Sequence, residues 1–146
     1  MADRLVVLRD GRVQQTGTPE ELHTRPANRH VADFMGYRNL LPMRVGRVSG
    51  DAVTVQGAGI TLSGTAVGTL STGDEVVAAV RPEDLTVGDG GVPVTVEVVE
   101  YQGREVAVEA RTDDGRRLHL RAADRPAPGD KITVVADPAR VLVFPL

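Results

Sequence analysis

Two stretches of the chain read alike at one constant offset. GDEVVAAVRPEDLTV begins at Gly73 and GDKITVVADPARVLV begins at Gly129. They align without a gap, matching Gly73/Gly129, Asp74/Asp130, Val76/Ile132, Val80/Ala136, Pro82/Pro138, Leu85/Val141 and Val87/Val143. In each, a Gly-Asp pair makes a turn, an apolar run makes a strand, Pro ends it and a shorter strand returns. A weaker match upstream pairs AVTV at Ala52 with EVAV at Glu105. Turn-strand-turn units can look alike by chance. A gapless match that keeps Gly, Asp and Pro in register points to a duplication: two related β lobes sharing one core, each too small to be stable alone.

Composition agrees with a β interior. Apolar residues make up 41 % of the 146 but aromatics only 3 %, so the core is built from Val, Leu and Ala. The apolar residues come in short Val-rich runs, which favours strands over long helices. Strands are expected near 41–48, 52–56, 59–63, 75–80, 92–101, 104–111, 116–121, 131–135 and 140–144. Turns are expected at Ser49-Gly50-Asp51, Asp89-Gly90-Gly91, Gln102-Gly103 and Asp113-Asp114-Gly115. From about Leu40 onward no good helix is visible.

The first 36 residues differ. Leu5–Leu8 and Arg12–Gln15 read as a hairpin about Asp10-Gly11, where Gly accepts the positive φ of a primed turn. Thr18-Pro19-Glu20-Glu21 opens a helix, with Thr18 as cap and Glu21 completing a capping box. Asn28 caps a second helix that stops at Gly36, and Val31, Phe34 and Met35 are spaced to share one apolar face.

These residues carry a resemblance. ADRLVVLRDGRVQQTGTPEELHTRPANRHVADFMGYRNLLP resembles the closing segment of the nucleotide-binding domain in ABC-importer ATPases, in the set serving sugars, polyamines, ferric iron and oxyanions. The marks are ADR-apolar-DGR, then G-T-P-x-E, then P-A-N-R with V-A-x-F and Gly. In that family a small β domain called TOBE (transport-associated OB) follows. Its marks correspond here to Arg81-Pro82-Glu83 and to Asp137-Pro138 through Phe144. The resemblance implies a mainly β fold: an OB-like TOBE β-barrel with internal duplication, preceded by a short β-hairpin and two short helices. It implies two parts, 1–37 as the C-terminal remnant of the ATPase domain and 38–146 as a regulatory or dimerisation domain.

What the resemblance implies for function is a non-catalytic accessory domain of an importer's ATP-binding subunit, with a homodimer and permease subunits as partners. ATP and Mg would belong to the parent subunit, with no cofactor in this chain. The expected address is cytoplasmic, peripheral to the inner membrane, with no direct membrane insertion. The chemistry of the residues agrees. A P-loop needs GxxxxGK[S/T] to cradle phosphates; no such run occurs, and the only Lys is Lys131. The Walker B strand, signature motif and switch histidine are missing as well.

Other classes are constrained. There is no Cys, so no disulfide or thiolate site is possible. No apolar run approaches the roughly 18 residues that span a bilayer. The net charge of −3 lacks the basic excess of a nucleic-acid binder. A single-strand binder would need aromatic stacking platforms, and Tyr101 is the only aromatic on a central strand, so no nucleic acid is expected. His23, His30 and His119 show no metal-ligand spacing. Two short motifs stay open. Arg81-Pro82-Glu83-Asp84 is either a turn oriented by an Arg–carboxylate pair or an interface and regulatory contact. Ser63, Thr65, Ser71 and Thr72 are either ordinary turn content or the hydroxyls of an oxyanion pocket. The latter, which the resemblance to TOBE modules allows, would make the chain a stand-alone molybdate- or sulfate-type module.

Overall fold

The computed structural model describes residues 4–57 and 60–146. Met1–Asp3, which open the ADR-type segment, and Ala58–Gly59, where a strand is expected to start, lie outside these. The leader forms as read. β1 (Leu5–Arg9) and β2 (Arg12–Gly17) pair antiparallel through a turn with φ of 52° at Asp10 and 76° at Gly11. α1 spans Pro19–Thr24 and α2 spans Arg29–Phe34. Thr18 Oγ1 accepts from the Glu21 amide at 3.1 Å, and Asn28 Oδ1 accepts from the His30 and Val31 amides. Only the Thr18 half of the expected capping box forms, because the Glu21 carboxylate lies against Gly17.

Val7, Leu22 and Val31 make a small core of their own, with Leu5 and Met35 against it. Phe34 does not join that face as expected; it is 72 % exposed. At about 100° per residue, Val31, Met35 and Ala32 cover one arc of α2, and Phe34 falls outside it. Val6, Leu8 and Val13 are also exposed, so the two-stranded hairpin carries an uncovered apolar side.

Nine strands follow among the described residues. β3 (Asn39–Ser49), β4 (Ala52–Gly57), β5 (Ile60–Ala66) and β6 (Glu75–Val80) precede a 3₁₀ turn at Pro82–Asp84. β7 (Leu85–Gln102), β8 (Glu105–Thr112), β9 (Arg117–Ala122) and β10 (Lys131–Ala136) precede a second 3₁₀ turn at Pro138–Arg140, and β11 is Leu142–Pro145. A closed barrel runs β11-β5-β4-β3-β6, with β11 parallel to β5; the second sheet runs β10-β7-β8-β9. One apolar core takes residues from both, from Val45 and Val55 in the barrel to Val96 and Leu120 in the open sheet.

The duplication is real in three dimensions. Gly73 and Gly129 have φ of 90° and 94°, a left-handed conformation that favours glycine. The Gly73 amide donates to the Val45 carbonyl at 2.8 Å, and the Gly129 amide to the Val96 carbonyl at 2.7 Å. Asp74 and Asp130 each close their turn by accepting from the amide three residues earlier, both at 2.9 Å. The same register break recurs at Val45/Arg47 and Val96/Val98. The pairings also correct the weaker match. Val45 faces Val55 and Val96 faces Ala110, so Ala52–Val55 corresponds to 107–110 rather than to 105–108. Local sequence likeness is two residues out of structural register.

The lobes exchange their last strands. After the first 3₁₀ turn the chain pairs with the other lobe, Val87 opposite Val134; after the second, Val143 returns opposite Ala78. These two pairs are equivalent under the repeat. Between its contacts with β10, β7 skips from Val87 to Pro93. The expected turn at Asp89-Gly90-Gly91 therefore lies inside β7, as an irregular passage across β10. A methyl group on Gly91 would sit 1.9 Å from the Val134 carbonyl oxygen.

Gly91→Ala is therefore expected to cost about 3 kcal/mol in urea unfolding, at the upper end of overpacking costs. Gly103→Ala, with φ of 70° and nothing within 4 Å, should lose only about 1–2 kcal/mol from backbone strain; equal losses would contradict the close crossing. Amide exchange should show β1 and β2 opening more readily than β6, whose last five residues are buried; equal protection would contradict the uncovered leader.

Candidate functional site

Arg81 is the buried charged residue at the point where the chain leaves one lobe for the other. Its side chain is 6 % exposed and donates from Nε to Asp84 Oδ2 at 3.0 Å, three residues on. Pro82 opens the 3₁₀ turn that brings the two together. An Nη of the same guanidinium lies 2.6 and 2.7 Å from the two ring nitrogens of His23, on α1. Its Cζ sits 5.1 Å over the Tyr37 ring, a cation–π distance. The Tyr37 hydroxyl donates to the His23 carbonyl at 2.9 Å. Burial pushes the Tyr37 hydroxyl above its ordinary range, with the Arg81 charge opposing. Tyr37 packs with Ala32, Ala79, Leu142 and Phe144. The Arg–carboxylate turn read from the sequence is thus present, and it also holds the leader onto the barrel. Nothing in the sequence ties His23 to Arg81, since they are far apart along the chain.

A second contact has no counterpart in the sequence reading. Asn39, 2 % exposed, donates from Nδ2 to the His119 carbonyl and accepts on Oδ1 from the His119 amide, both at 2.7 Å. The side-chain amide does for β9 what a neighbouring strand would do, and covers part of a sheet edge. Arg116 adds a bond to the Pro42 carbonyl at 3.0 Å. No local pattern signals this, because an Asn before a strand reads as turn chemistry.

The remaining candidates are placed as follows. Glu83 is exposed and Pro82 half-buried, beside the Arg81 joint. Ser63 and Thr65 lie on β5, and Thr65 Oγ1 donates to the Pro138 carbonyl at 3.1 Å. Thr65 is level with Leu142 and Ala79, whereas Ser71 and Thr72 precede Glu75 at the other end of β6. The Ser71 amide is already bonded to Asp74. Ser63 and Gly64 line a groove that does not include Ser71 or Thr72, so the four residues do not form one pocket. His23 and His119 stand at the two contacts above, and His30 lies beside Arg9. Among the described residues no His, Asp and Glu are grouped to hold a metal. Among them, too, no helix is long and apolar enough to cross a membrane. Tyr101 is 64 % exposed with Arg125 5.3 Å from its ring centroid.

Comparison with known proteins sets this geometry in context. The TOBE domain family matches residues 78–144. The chain is 39 % identical to the spermidine/putrescine import ATP-binding protein PotA of Rubrobacter xylanophilus, over 99 % of this chain and 41 % of that protein. It is 37 % identical to PotA 1 of Pseudomonas aeruginosa, over 98 % and 42 %. It is 35 % identical to the sulfate/thiosulfate import ATP-binding protein CysA of Caulobacter vibrioides, over 84 % and 34 %. The chain spans about two fifths of the length of the PotA relatives it matches. Among solved structures, the cytoplasmic molybdate-binding protein ModG with molybdate bound matches at a TM-score of 0.60 and 19 % identity. That match covers 73 % of this chain and 94 % of ModG, and it shows a shared fold.

Arg81→Met is expected to lose about 3 kcal/mol, because it leaves Asp84 largely buried without its partner. Replacing both, as Arg81→Met with Asp84→Leu, should recover much of that loss. A silent Arg81→Met in urea unfolding would mean the guanidinium is not what holds the junction.

Proposed function

The chain belongs to the ABC-importer ATP-binding family and carries its TOBE domain, and we propose that it serves as a non-catalytic brace and regulatory domain of such a subunit. The observation that carries this is the Arg81 joint. A domain that only rode along would need a tether. Here a buried guanidinium ties α1, Tyr37 and the lobe crossing together. A displacement of the leader would reach both lobes through one packed contact, as transmission between two states requires.

Residues 1–37 would then be the closing part of the ATPase domain and 38–146 the TOBE unit. The uncovered side of the hairpin, with Val6, Leu8 and Val13, would lie against the rest of that domain. ATP and Mg would be handled there, since no phosphate-cradling loop occurs in this sequence. The partners would be a second copy and the permease subunits of an importer at the inner face of the membrane, with no nucleic acid.

The alternative is an oxyanion-binding module of the molybdate or sulfate type. It is favoured by the fold shared with ModG, and opposed by the separation of Ser63 and Thr65 from Ser71 and Thr72. Calorimetric titration with molybdate, tungstate and sulfate separates the readings: no saturable heat is expected, and micromolar binding would replace the brace with the module.

The brace itself predicts self-association through the β lobes. Sedimentation velocity over a concentration series should show a reversible dimer that persists when the hairpin face is made polar with Leu8→Lys. A dimer lost with that substitution would belong to the uncovered leader, and a monomer at every concentration would remove the bracing role.

A further inference from the structure

The duplicated fold builds the same groove twice. One lies in the closed barrel and the other in the open sheet, and strand pairing makes their linings correspond. The floors match: Ala52 and Val53 in the first stand where Ala107 and Val108 stand in the second, and each groove is closed by the proline of its 3₁₀ turn, Pro138 or Pro82. The rims do not match. Ser49, Thr54 and Ser63 are replaced by Glu100, Glu109 and His119. The second groove also gains Arg38, the first residue after the leader, and Arg121. One shape carries three hydroxyls and a single cation, Arg47, in one copy, and charges of both signs in the other, where Val98 stands in place of Arg47.

Most of these charges already have partners. Arg121 reaches Gln102 at 3.4 Å and Glu105 at 3.8 Å. Glu109 is 3.9 Å from the His119 ring and 4.0 Å from Arg117. Burial and then the Arg38 charge hold the His119 imidazole below its ordinary range, against Glu109. Among the described residues, Arg38 and Glu100 have no side-chain hydrogen bond and no ion pair. The groove thus holds one uncommitted cation and one uncommitted carboxylate above a partly apolar floor of Val98, Ala107 and Leu120. Its cavity measures about 130 Å³, close to the roughly 150 Å³ that takes up benzene. That is room for about six non-hydrogen atoms.

We propose that this groove binds a small zwitterion of the α-amino-acid class, its carboxylate on Arg38 and its ammonium on Glu100. A free Arg favours a carboxylate because its fork matches both oxygens, and a free Glu takes the ammonium. A dianion would set its second charge against Glu100, and a diamine would set one against Arg38. The site also touches the joint described above: Arg38 follows Tyr37 and Pro82 follows Arg81, so an occupant bears on both sides of it. Binding stands or falls apart from the regulatory reading, because it is read on the groove itself.

The test is a titration of the full chain with L-alanine, followed by amide chemical shifts. Saturable shifts are expected at Ala107, His119 and Leu120, with acetate and methylammonium each binding far more weakly. Arg38→Gln and Glu100→Gln, both at exposed positions, should each weaken L-alanine binding about tenfold or more, the scale of one lost charge-assisted bond, at an unchanged melting temperature. Absence of saturable shifts would overturn the site. Acetate binding as tightly as L-alanine, or Glu100→Gln leaving affinity unchanged, would reduce it to an anion site and overturn the zwitterion. An unaltered chain that dimerises but shows no L-alanine binding would leave the brace intact and refute only this site.

Discussion

Each β lobe is completed by a strand that belongs, in chain order, to the other. The segments that leave the two 3₁₀ turns do not fold back on their own lobe: Leu85–Val87 pair with β10, and Leu142–Pro145 pair with β6. Neither lobe has its full set of strands without its neighbour, and a single apolar core runs through both. Separate unfolding would expose buried Val and Leu on both sides at once, so the two lobes form one cooperative unit. The prolines at 82 and 138 matter here. Each stops a strand and redirects the chain, because it cannot supply a ladder amide.

The exchange also explains why a charge is buried where it is. The first crossing must turn sharply between β6 and β7 while the leader packs beside it. Arg81 has the reach and the donors to serve several acceptors around one turn. Asp84 balances its charge, Tyr37 offers a ring face and His23 offers the one unprotonated nitrogen of its imidazole. A buried ion pair adds little net stability over an apolar pair of similar size. What it adds is position: the guanidinium touches Asp84, Tyr37 and His23 at once, and so ties α1 to the barrel. The second crossing has Asp137 at the corresponding place, capping the Ala139 amide at 2.9 Å.

The sequence makes the local structure legible and leaves the long-range pairing hidden. The Asp10-Gly11 turn, the Thr18 and Asn28 caps and the Gly-Asp turns at 73 and 129 all rest on chemistry within a few residues, and all form. The repeat is visible because Gly, Asp and Pro keep their spacing. What those residues cannot encode locally is the partner of the strand that follows. Hence the exchange, the passage of Gly91 over Val134 and the register of β4 against β8 appear only in three dimensions. Phe34 departs from expectation because spacing alone makes a face of positions 31, 34 and 35, while the hairpin and barrel cover a different arc. At the site, the Arg81–Asp84 pair is readable at three-residue spacing; the Arg81–His23 contact and the Asn39–His119 amide pair are not, their partners being 58 and 80 residues apart.

Where the two copies differ is as informative as where they agree. The barrel closes because β5 meets β11, with the Thr65 and Val67 amides donating to Val141 and Val143 at 2.8 Å. In the open sheet β9 is an edge, and what meets it is the Asn39 side chain. Two identical closed lobes would offer the leader two equivalent seats, and no packing term would choose between them. An open second lobe breaks that tie. Asn39 fills two hydrogen-bonding positions on the exposed edge, Tyr37 and Arg38 are carried to the same side, and Arg81 closes the contact from the crossing. The departure from symmetry at β9 therefore gives the leader one position, and it sets the groove with charges of both signs, rather than its hydroxyl-lined twin, beside the joint.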